Sequence, residues 1–337
     1  MRLGILAQFG GVRNETSAQD WQLGIDKIKL AESLGVECVM VSEAWGLSAI
    51  PWMSLIATHT NTIQIGSCIL NSFSRSPAAL AQEFASLDVL SNGRMIFGLG
   101  ASGANVIEHF HGIDYQKPLR RMREYIDIFK ILISGEKLIY DGQIYKLERG
   151  FRLEYDRPRN YIPIYVASLT PKSVKQSGEI ADGIFPIHWP KEQFGSLRQE
   201  LQVGADLVDP NKSLTIAPQT RLVVLNGDDD DSKWYQSKQL VHYYINRMGT
   251  FYWEALIRNG FEQEVQISRK AWESREVDKS INAITNEMIE SMQVIGTIEE
   301  IKDKFIERSN LGADLQLIQM PAGDLAYTKK ILKTLLD

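Results

Sequence analysis

Apolar and polar positions along this chain follow two alternating rhythms. Short, nearly unbroken apolar runs are separated by longer stretches in which apolar residues return every three or four positions. Leu3–Ala7 is the first short run. Over 18–34, Trp21, Ile25, Ile28, Ala31 and Leu34 draw a helical stripe, which Gly35 ends. The run 36–42 leaves little room for a solvent face, and such strands belong to parallel sheets covered on both sides. Pro51 opens a short helix to His59, and 63–70 is the third strand. Ser76-Pro77 starts the next helix, since proline suits a first helical turn; Leu80, Phe84 and Leu87 form its buried stripe. The fourth strand is 94–100. A loop with its own short helix covers 101–118, and Met122, Tyr125, Ile126, Phe129, Leu132 and Ile133 mark a strong helix before Gly135.

The segment 136–160 is turn-rich and polar, an excursion with short strands at 138–140 and 143–147. The rhythm then resumes: strand 163–168, helix 171–181, strand 183–188, helix 190–203, and a seventh strand within 214–226. Residues 227–294 break it, as aromatic-rich helices with no clear strand. Gly296-Thr297 caps a new helix with Glu299 and Glu300 in its first turn, where the macrodipole favours negative charge. Strand 314–320 and helix 325–336 close the chain. Strands and helices in strict alternation imply a parallel sheet. Eight such units over this length predict an α/β fold of the (β/α)8 TIM-barrel type, a single domain over 1–337 with insertions after strands 4 and 7. A doubly wound open sheet is the alternative.

Composition narrows the function classes. The chain has 337 residues, 44% hydrophobic and 23% charged, with a formal net charge of -5. That is a globular profile, without the basic excess of a nucleic-acid binder. No apolar run approaches a membrane span, and the N-terminus lacks a signal-peptide pattern, so a cytoplasmic location is expected. Cys38 and Cys68 form no disulfide framework and no metal-ligand spacing.

In a TIM barrel the reacting groups sit at the C-terminal ends of the strands. The second strand ends in Ser42-Glu43-Ala44-Trp45-Gly46, a carboxylate and an indole suited to a cofactor wall, or else a helix-capping Glu and a packing Trp. The third ends in Gly66-Ser67-Cys68-Ile69, where small residues let a flat molecule approach the backbone, or where Gly66 is only a kink. Gly98-Leu99-Gly100-Ala101-Ser102-Gly103 ends the fourth and is too short a signal for a nucleotide fingerprint. Glu108, His109 and His111 follow without the partners a metal site needs. The fifth strand ends in Leu169-Thr170-Pro171-Lys172-Ser173: an N-cap, a first-turn proline, a lysine, and the N–H groups of Lys172 and Ser173 expected to point out unpaired. By its chemistry this is an anion site, the alternative being a well-capped helix and nothing more. His188 and Trp189 stand after the sixth strand. The four aspartates 228–231 read as a solvated helix start rather than a calcium loop. Trp234, Tyr235, Tyr243, Tyr244, Phe251, Tyr252 and Trp253 read as core or subunit contact rather than as a substrate box.

Taken together, these strand ends resemble the luciferase-like monooxygenase superfamily, and within it the branch of coenzyme F420-dependent oxidoreductases similar to methylenetetrahydromethanopterin reductase. The resemblance runs in order through Ala31-Glu32-Ser33-Leu34-Gly35, Val41-Ser42-Glu43-Ala44-Trp45-Gly46, Thr62-Ile63-Gln64-Ile65-Gly66-Ser67, Arg75-Ser76-Pro77, Leu87-Asp88-Val89-Leu90-Ser91-Asn92-Gly93-Arg94, Gly98-Leu99-Gly100-Ala101-Ser102-Gly103, Pro163-Ile164-Tyr165-Val166-Ala167 and Glu179-Ile180-Ala181-Asp182-Gly183. It implies a TIM barrel, often a homodimer, with a deazaflavin or flavin in the barrel mouth. It implies a non-proline cis peptide at Cys68–Ile69 and a bulge there that props the ring. It places Glu43 at the ring's polar edge, Gly66, Ser67, Cys68 and Ile69 behind the ring, Ala101 and Ser102 beside the cofactor's side chain, and Leu169, Thr170, Lys172 and Ser173 at its phosphate. Where some deazaflavin dehydrogenases carry a histidine after the acidic residue, this chain has Ala44.

The expected activity is hydride transfer between coenzyme F420 and a small organic substrate. Glu43 tunes the ring, and Glu108, His111 and His188 are the candidate proton donors. An FMN-dependent monooxygenase using O2, a lyase or isomerase on the same barrel, and a non-catalytic flavin-binding protein are the rival readings. No metal, nucleic acid or membrane partner is expected.

Overall fold

A computed structural model describes residues 1–7 and 20–337. The first two residues of the predicted helix 18–34 lie outside them; the helix is seen from Asp20 to Ser33. At the centre is a curled sheet of parallel strands: β1 (Leu3–Ala7), β2 (Cys38–Val41), β3 (Gln64–Ser67, resumed at Leu70–Asn71), β4 (Met95–Gly100), β5 (Ile164–Ala167), β6 (Gly183–Ile184), β7 (Thr215–Ile216, resumed at Gln219–Thr220) and β8 (Gln316–Gln319). Pairing runs β6, β5, β4, β3, β2, β1, β8, and the two halves of β7 lie at opposite ends of that order. The amides of Ala217 and Gln219 donate to Ile184 and Pro186 at 2.9 and 3.0 Å, while Leu317 donates to Pro218 at 3.1 Å. One stretch of chain, 215–220, therefore borders both β6 and β8.

The strands form because they can be dry on both faces. Inside the curl sit Leu6, Cys38, Met40, Cys68, Ile96, Tyr165, Phe185, Ala217, Leu315 and Leu317. Outside, Ile5, Val39, Ile65, Phe97 and Ile164 join Ile25, Ile28, Met53, Leu80, Phe84 and Phe129 of the surrounding helices in one large core. The alternation is legible within β4, where Ile96 faces in and Met95 and Phe97 face out. Phe97 stacks on Phe129 at 4.1 Å and meets Phe84 edge-on at 4.7 Å. Gly98 has no room for a side chain: a Cβ there would fall 1.6 Å from the Ser67 carbonyl oxygen.

Three predicted strands differ from what is seen. The sixth stops at Ile184 and the seventh is divided into Thr215–Ile216, Gln219–Thr220 and Leu222–Val224, because Pro186 and Pro218 lack the N–H that a continuous ladder needs. The excursion hairpin pairs Leu138–Asp141 with Lys146–Phe151 rather than with 143–147. The buried Glu124 carboxylate takes the N–H groups of Gln143, Ile144 and Tyr145 at 2.8 to 3.0 Å and so makes those residues the turn. The expectation that 227–294 holds helices without a strand is corrected at its end, where Val294–Gly296 pairs in parallel with Leu222–Val224. Between those strands lie helices Asp230–Arg247, Thr250–Arg258, Glu262–Glu273, Val277–Asn282 and Asn286–Met292. They enclose a core of their own around Val241, Ile245, Leu256, Val265, Ile284 and Met288.

Candidate active site

A cavity of about 590 Å³ opens at the C-terminal ends of β4, β5 and β6, between the curled sheet and the insertion. That is the size of a small-molecule or cofactor site. Gly100, Ala101, Ala167 and Phe185 come from these strand ends, and Ile69 from the end of β3. Glycine at 100 is dictated by crowding, since a Cβ would lie 2.8 Å from Ile69 Cδ1. The turn beyond β4 contributes Ser102, in the left-handed region at φ 57, then Asn105, Val106 and His109 of the short helix Ala104–His109 and Phe110, which caps it. Tyr115 returns across that turn, donates from its hydroxyl to the Ser102 carbonyl at 3.1 Å and stacks on Phe73. Burial pushes its pKa up to about 12, so it is a neutral donor at physiological pH.

On the β5 side the wall is the start of helix Pro171–Ile180, through Leu169, Thr170 and Ser173. Thr170 and Ser173 form a capping box: Thr170 Oγ1 accepts from the Ser173 amide at 3.2 Å, and Ser173 Oγ accepts from the Thr170 amide at 3.0 Å. The expectation of a free Ser173 N–H is thus corrected, because two short hydroxyl side chains fold back on the backbone. Thr170 and Ser173 still line the cavity at the positive end of the helix dipole, with Thr170 Oγ1 donating to Ser173 Oγ at 3.0 Å and Ser173 Oγ to the Thr170 carbonyl at 2.9 Å. Lys172 is exposed and off the wall.

The other predicted residues fall in different places. Glu43 is not on the wall. Arg75 holds its carboxylate through two bonds of 2.6 and 3.0 Å, and the Ala49 amide donates to it at 2.9 Å. Burial pushes the Glu43 pKa up, but these bonds and the Arg75 charge outweigh it and hold the group below the usual carboxylate range. It joins the end of β2 to the loop after β3. Gly66 abuts Met40 Cε and the Ile96 carbonyl, at 2.6 and 2.7 Å from a Cβ built on it, and so serves strand packing. Ser67 Oγ donates to the Gly98 carbonyl at 2.7 Å and accepts its amide at 3.0 Å. Cys68 is buried in the sheet interior, with Gln219 Nε2 3.2 Å from its sulfur. The Cys68–Ile69 peptide is cis, and only Ile69 of this group reaches the cavity.

None of the candidate proton donors touches the cavity. Glu108 is exposed and accepts the Tyr115 amide at 3.3 Å. His111 Nε2 stands 3.3 Å from Asn71 Nδ2. His188 lies under Tyr244 at 4.3 Å between ring centroids; its Nε2 is buried without a hydrogen-bond partner among the described residues. Burial, and then the Arg221 charge, push its pKa down to about 4. Among the described residues no cluster of His, Cys, Asp or Glu is arranged to hold a metal.

The reading of the insertion aromatics as core or subunit contact is corrected for three of them. Tyr243, Phe251 and Tyr252 line the cavity, with Arg247 and Met248. Tyr244 stands behind them against Tyr252 at 4.8 Å, and Trp234 and Trp253 pack on the insertion core. Tyr243 and Arg247 are four apart on one helix face, a spacing visible in the sequence; what the face opposes is not. His109, weighed in the sequence only as a metal ligand, and Tyr115 also line the cavity, and no local pattern marks them for it. The insertion is tied to the rim by Arg258, which donates to the Leu169 carbonyl and lies 5.8 Å over the Trp189 ring.

A curled parallel sheet with a ligand-sized cavity at its strand ends defines an α/β enzyme architecture. The chain belongs to the luciferase-like monooxygenase family, whose model matches residues 1–315. It is 26% identical over 336 residues, 94% of each chain, to a Mycobacterium tuberculosis protein named as a candidate coenzyme F420-dependent oxidoreductase. It is 25% identical over 302 residues to 5,10-methylenetetrahydromethanopterin reductase of Archaeoglobus fulgidus, covering 88% of this chain and 89% of the other. In fold it is similar to the coenzyme F420-dependent tetrahydromethanopterin reductase of Methanopyrus kandleri, with a TM-score of 0.80 and 20% identity over 98% of this chain and 96% of that one. No helix among the described residues is long and apolar enough to cross a membrane.

Proposed function

We propose that this protein is a coenzyme F420-dependent oxidoreductase that transfers hydride between the deazaflavin and a small organic substrate. We read its eight strand positions as a (β/α)8 barrel with insertions after the fourth and seventh, on the strength of the 215–220 stretch that borders both β6 and β8. The observation that carries the function is the cavity wall. It joins a flat floor of Ile69, Gly100, Ala101 and Ala167 to a dipole-positive helix start at Thr170 and Ser173. A planar ring with an acidic tail fits that combination, and the named relatives of this chain are F420 enzymes. The same reading carries a cytoplasmic homodimer with it.

The deazaflavin supplies the two-electron hydride chemistry when bound. The chain's own contribution is position and exclusion. Ile69, Gly100 and Ala101 present backbone and small side chains to the ring. The helix start at Thr170 and Ser173, with the dipole behind it, would hold the phosphate in place of the exposed Lys172. Tyr243, Phe251 and Tyr252 wall the cavity on the insertion side, and the apolar surface they add lowers the local dielectric and strengthens polar contacts inside it. Besides Arg247, the ionisable groups lining the space are His109, Tyr115, Tyr243 and Tyr252, with the Tyr252 pKa pushed up to about 12 by burial and then by Tyr115. They replace Glu108, His111 and His188 as proton donors. Glu43, bound to Arg75 and off the wall, supports the fold beneath the site rather than the chemistry.

Fluorescence titration of the purified protein with F420 and with FMN tests this. Micromolar binding of F420, weakened about 30-fold or more by Ser173→Asp through like-charge repulsion, is expected. Preference for FMN with oxygen consumption would establish the monooxygenase alternative. Binding without turnover on any acceptor would leave a flavin-binding protein.

A further inference from the structure

We propose that the substrate is an apolar organic acid and that Arg247, carried by the insertion, anchors its carboxylate; this rests on the oxidoreductase reading of the same cavity. The wall is mostly hydrocarbon and aromatic ring, and it contains no aspartate, glutamate or lysine. Arg247 is its one permanently charged side chain among the described residues. None of the ion pairs among the described residues involves it, whereas Arg75, Arg123, Arg159 and Arg198 each have a carboxylate partner. Its guanidinium stands 5.9 Å over the Tyr243 ring, so an aromatic face seats the charge without neutralising it.

A basic residue in a last helical turn also complements the macrodipole, and Arg247 closes helix Asp230–Arg247. That role asks for no particular face of the helix. Arg247 occupies the face that Tyr243 turns to the cavity, with Met248, Phe251 and Tyr252 completing the apolar surround. Arg247 is exposed, and its guanidinium, in no ion pair and beside an apolar space, favours a planar carboxylate, which it can bind through two parallel bonds. The surround favours a hydrophobic body on that acid, and a cationic substrate is repelled. The anion could instead come from the cofactor. The helix start at Thr170 and Ser173 on the barrel side already serves one acidic group there, so we assign Arg247 to the substrate.

Calorimetric titration with phenylacetate and decanoate, each beside its methyl ester, tests this with and without F420, on wild type, Arg247→Gln and Arg247→Lys. The wild type should bind each acid about tenfold or more tightly than its ester. Arg247→Gln should abolish that preference while leaving ester binding and F420 affinity within about threefold, and Arg247→Lys should restore it in part. Equal binding of acids and esters to the wild type overturns the proposal, as does an unchanged acid preference in Arg247→Gln. An F420 affinity that falls about tenfold in Arg247→Gln gives the arginine to the cofactor and overturns it too. Failure of the wild type to bind F420 sinks the oxidoreductase reading, while the acid-to-ester ratio still decides the role of Arg247. Should Arg247→Gln not fold, Arg247→Lys supplies the comparison.

Discussion

The curled sheet reaches the cavity largely through backbone and small side chains, at Gly100, Ala101, Ser102 and Ala167 with Ile69 and Phe185 beside them, whereas the helical insertion reaches it through the large side chains Tyr243, Arg247, Phe251 and Tyr252. The two regions also differ in what holds them together. Sheet residues are locked by neighbours on both sides, so that Gly98 tolerates no Cβ and Ser67 spends both hydroxyl functions on the Gly98 backbone. The insertion has a separate core, bound to the rim at a few points such as Arg258 on the Leu169 carbonyl. A surface made of backbone suits a ligand that does not vary. One made of large side chains on an independently packed unit can change without disturbing the sheet. We read the first as the cofactor's half and the second as the substrate's.

That division can be broken at several points. The largest effect is expected from Gly98→Ala, which sets a methyl 1.6 Å from a carbonyl oxygen. It should destabilise the fold by about 3 kcal/mol or more, at the upper end of overpacking costs, and chemical denaturation would show it. A variant that unfolds like the wild type would mean the sheet is far softer than described.

His188 ties the sheet to the insertion through Tyr244 and gives a pH signature. Its folded pKa of about 4 lies below the ordinary 6.5. The unfolded chain therefore takes up the proton first as pH falls. This contribution to stability is complete above about 6.5 and is lost between 6.5 and 4. The slope cannot exceed about 1.4 kcal/mol per pH unit. His188→Asn, which keeps a residue tolerant of the left-handed backbone, should flatten melting temperature against pH over that window; an unaltered profile would remove His188 from the account.

Glu43→Gln removes the carboxylate that Arg75 binds through two hydrogen bonds, leaving Glu83 at 3.6 Å, and should cost about 1–3 kcal/mol in urea denaturation. It should leave the chemical competence of bound cofactor intact, which single-turnover rates would report. The depressed Glu43 pKa adds stability that is present above the ordinary carboxylate value and lost as pH falls through the folded one, so the variant should also lose part of the acid sensitivity. A collapse of the single-turnover rate with unchanged stability would return Glu43 to the chemistry.

The smallest effect is expected from Arg258→Met, about 1 kcal/mol. It should raise hydrogen exchange in the insertion helices and leave that of β4 and β5 as it was. Equal loosening of both would show one cooperative body rather than two.

Much of this molecule is written in local pattern. Each of the eight strand positions, the glycine-rich turn after β4 and the capped helix start at Thr170 follow from apolar periodicity, proline and glycine placement and hydroxyl chemistry over a few residues. Those signals act between near neighbours, so one chain suffices to read them. The partners of Glu43, Ser67 and Cys68 are another matter. Arg75, Gly98 and Gln219 lie 32, 31 and 151 residues away, and nothing local distinguishes a carboxylate awaiting an arginine from one facing a ligand. The aromatic spacing of 234–253 likewise specifies helices with an apolar face, but which rings fill a core and which wall a cavity was decided only when the insertion settled over the strand ends. Burial is set by the whole surface a side chain meets, and that surface comes from distant parts of the chain.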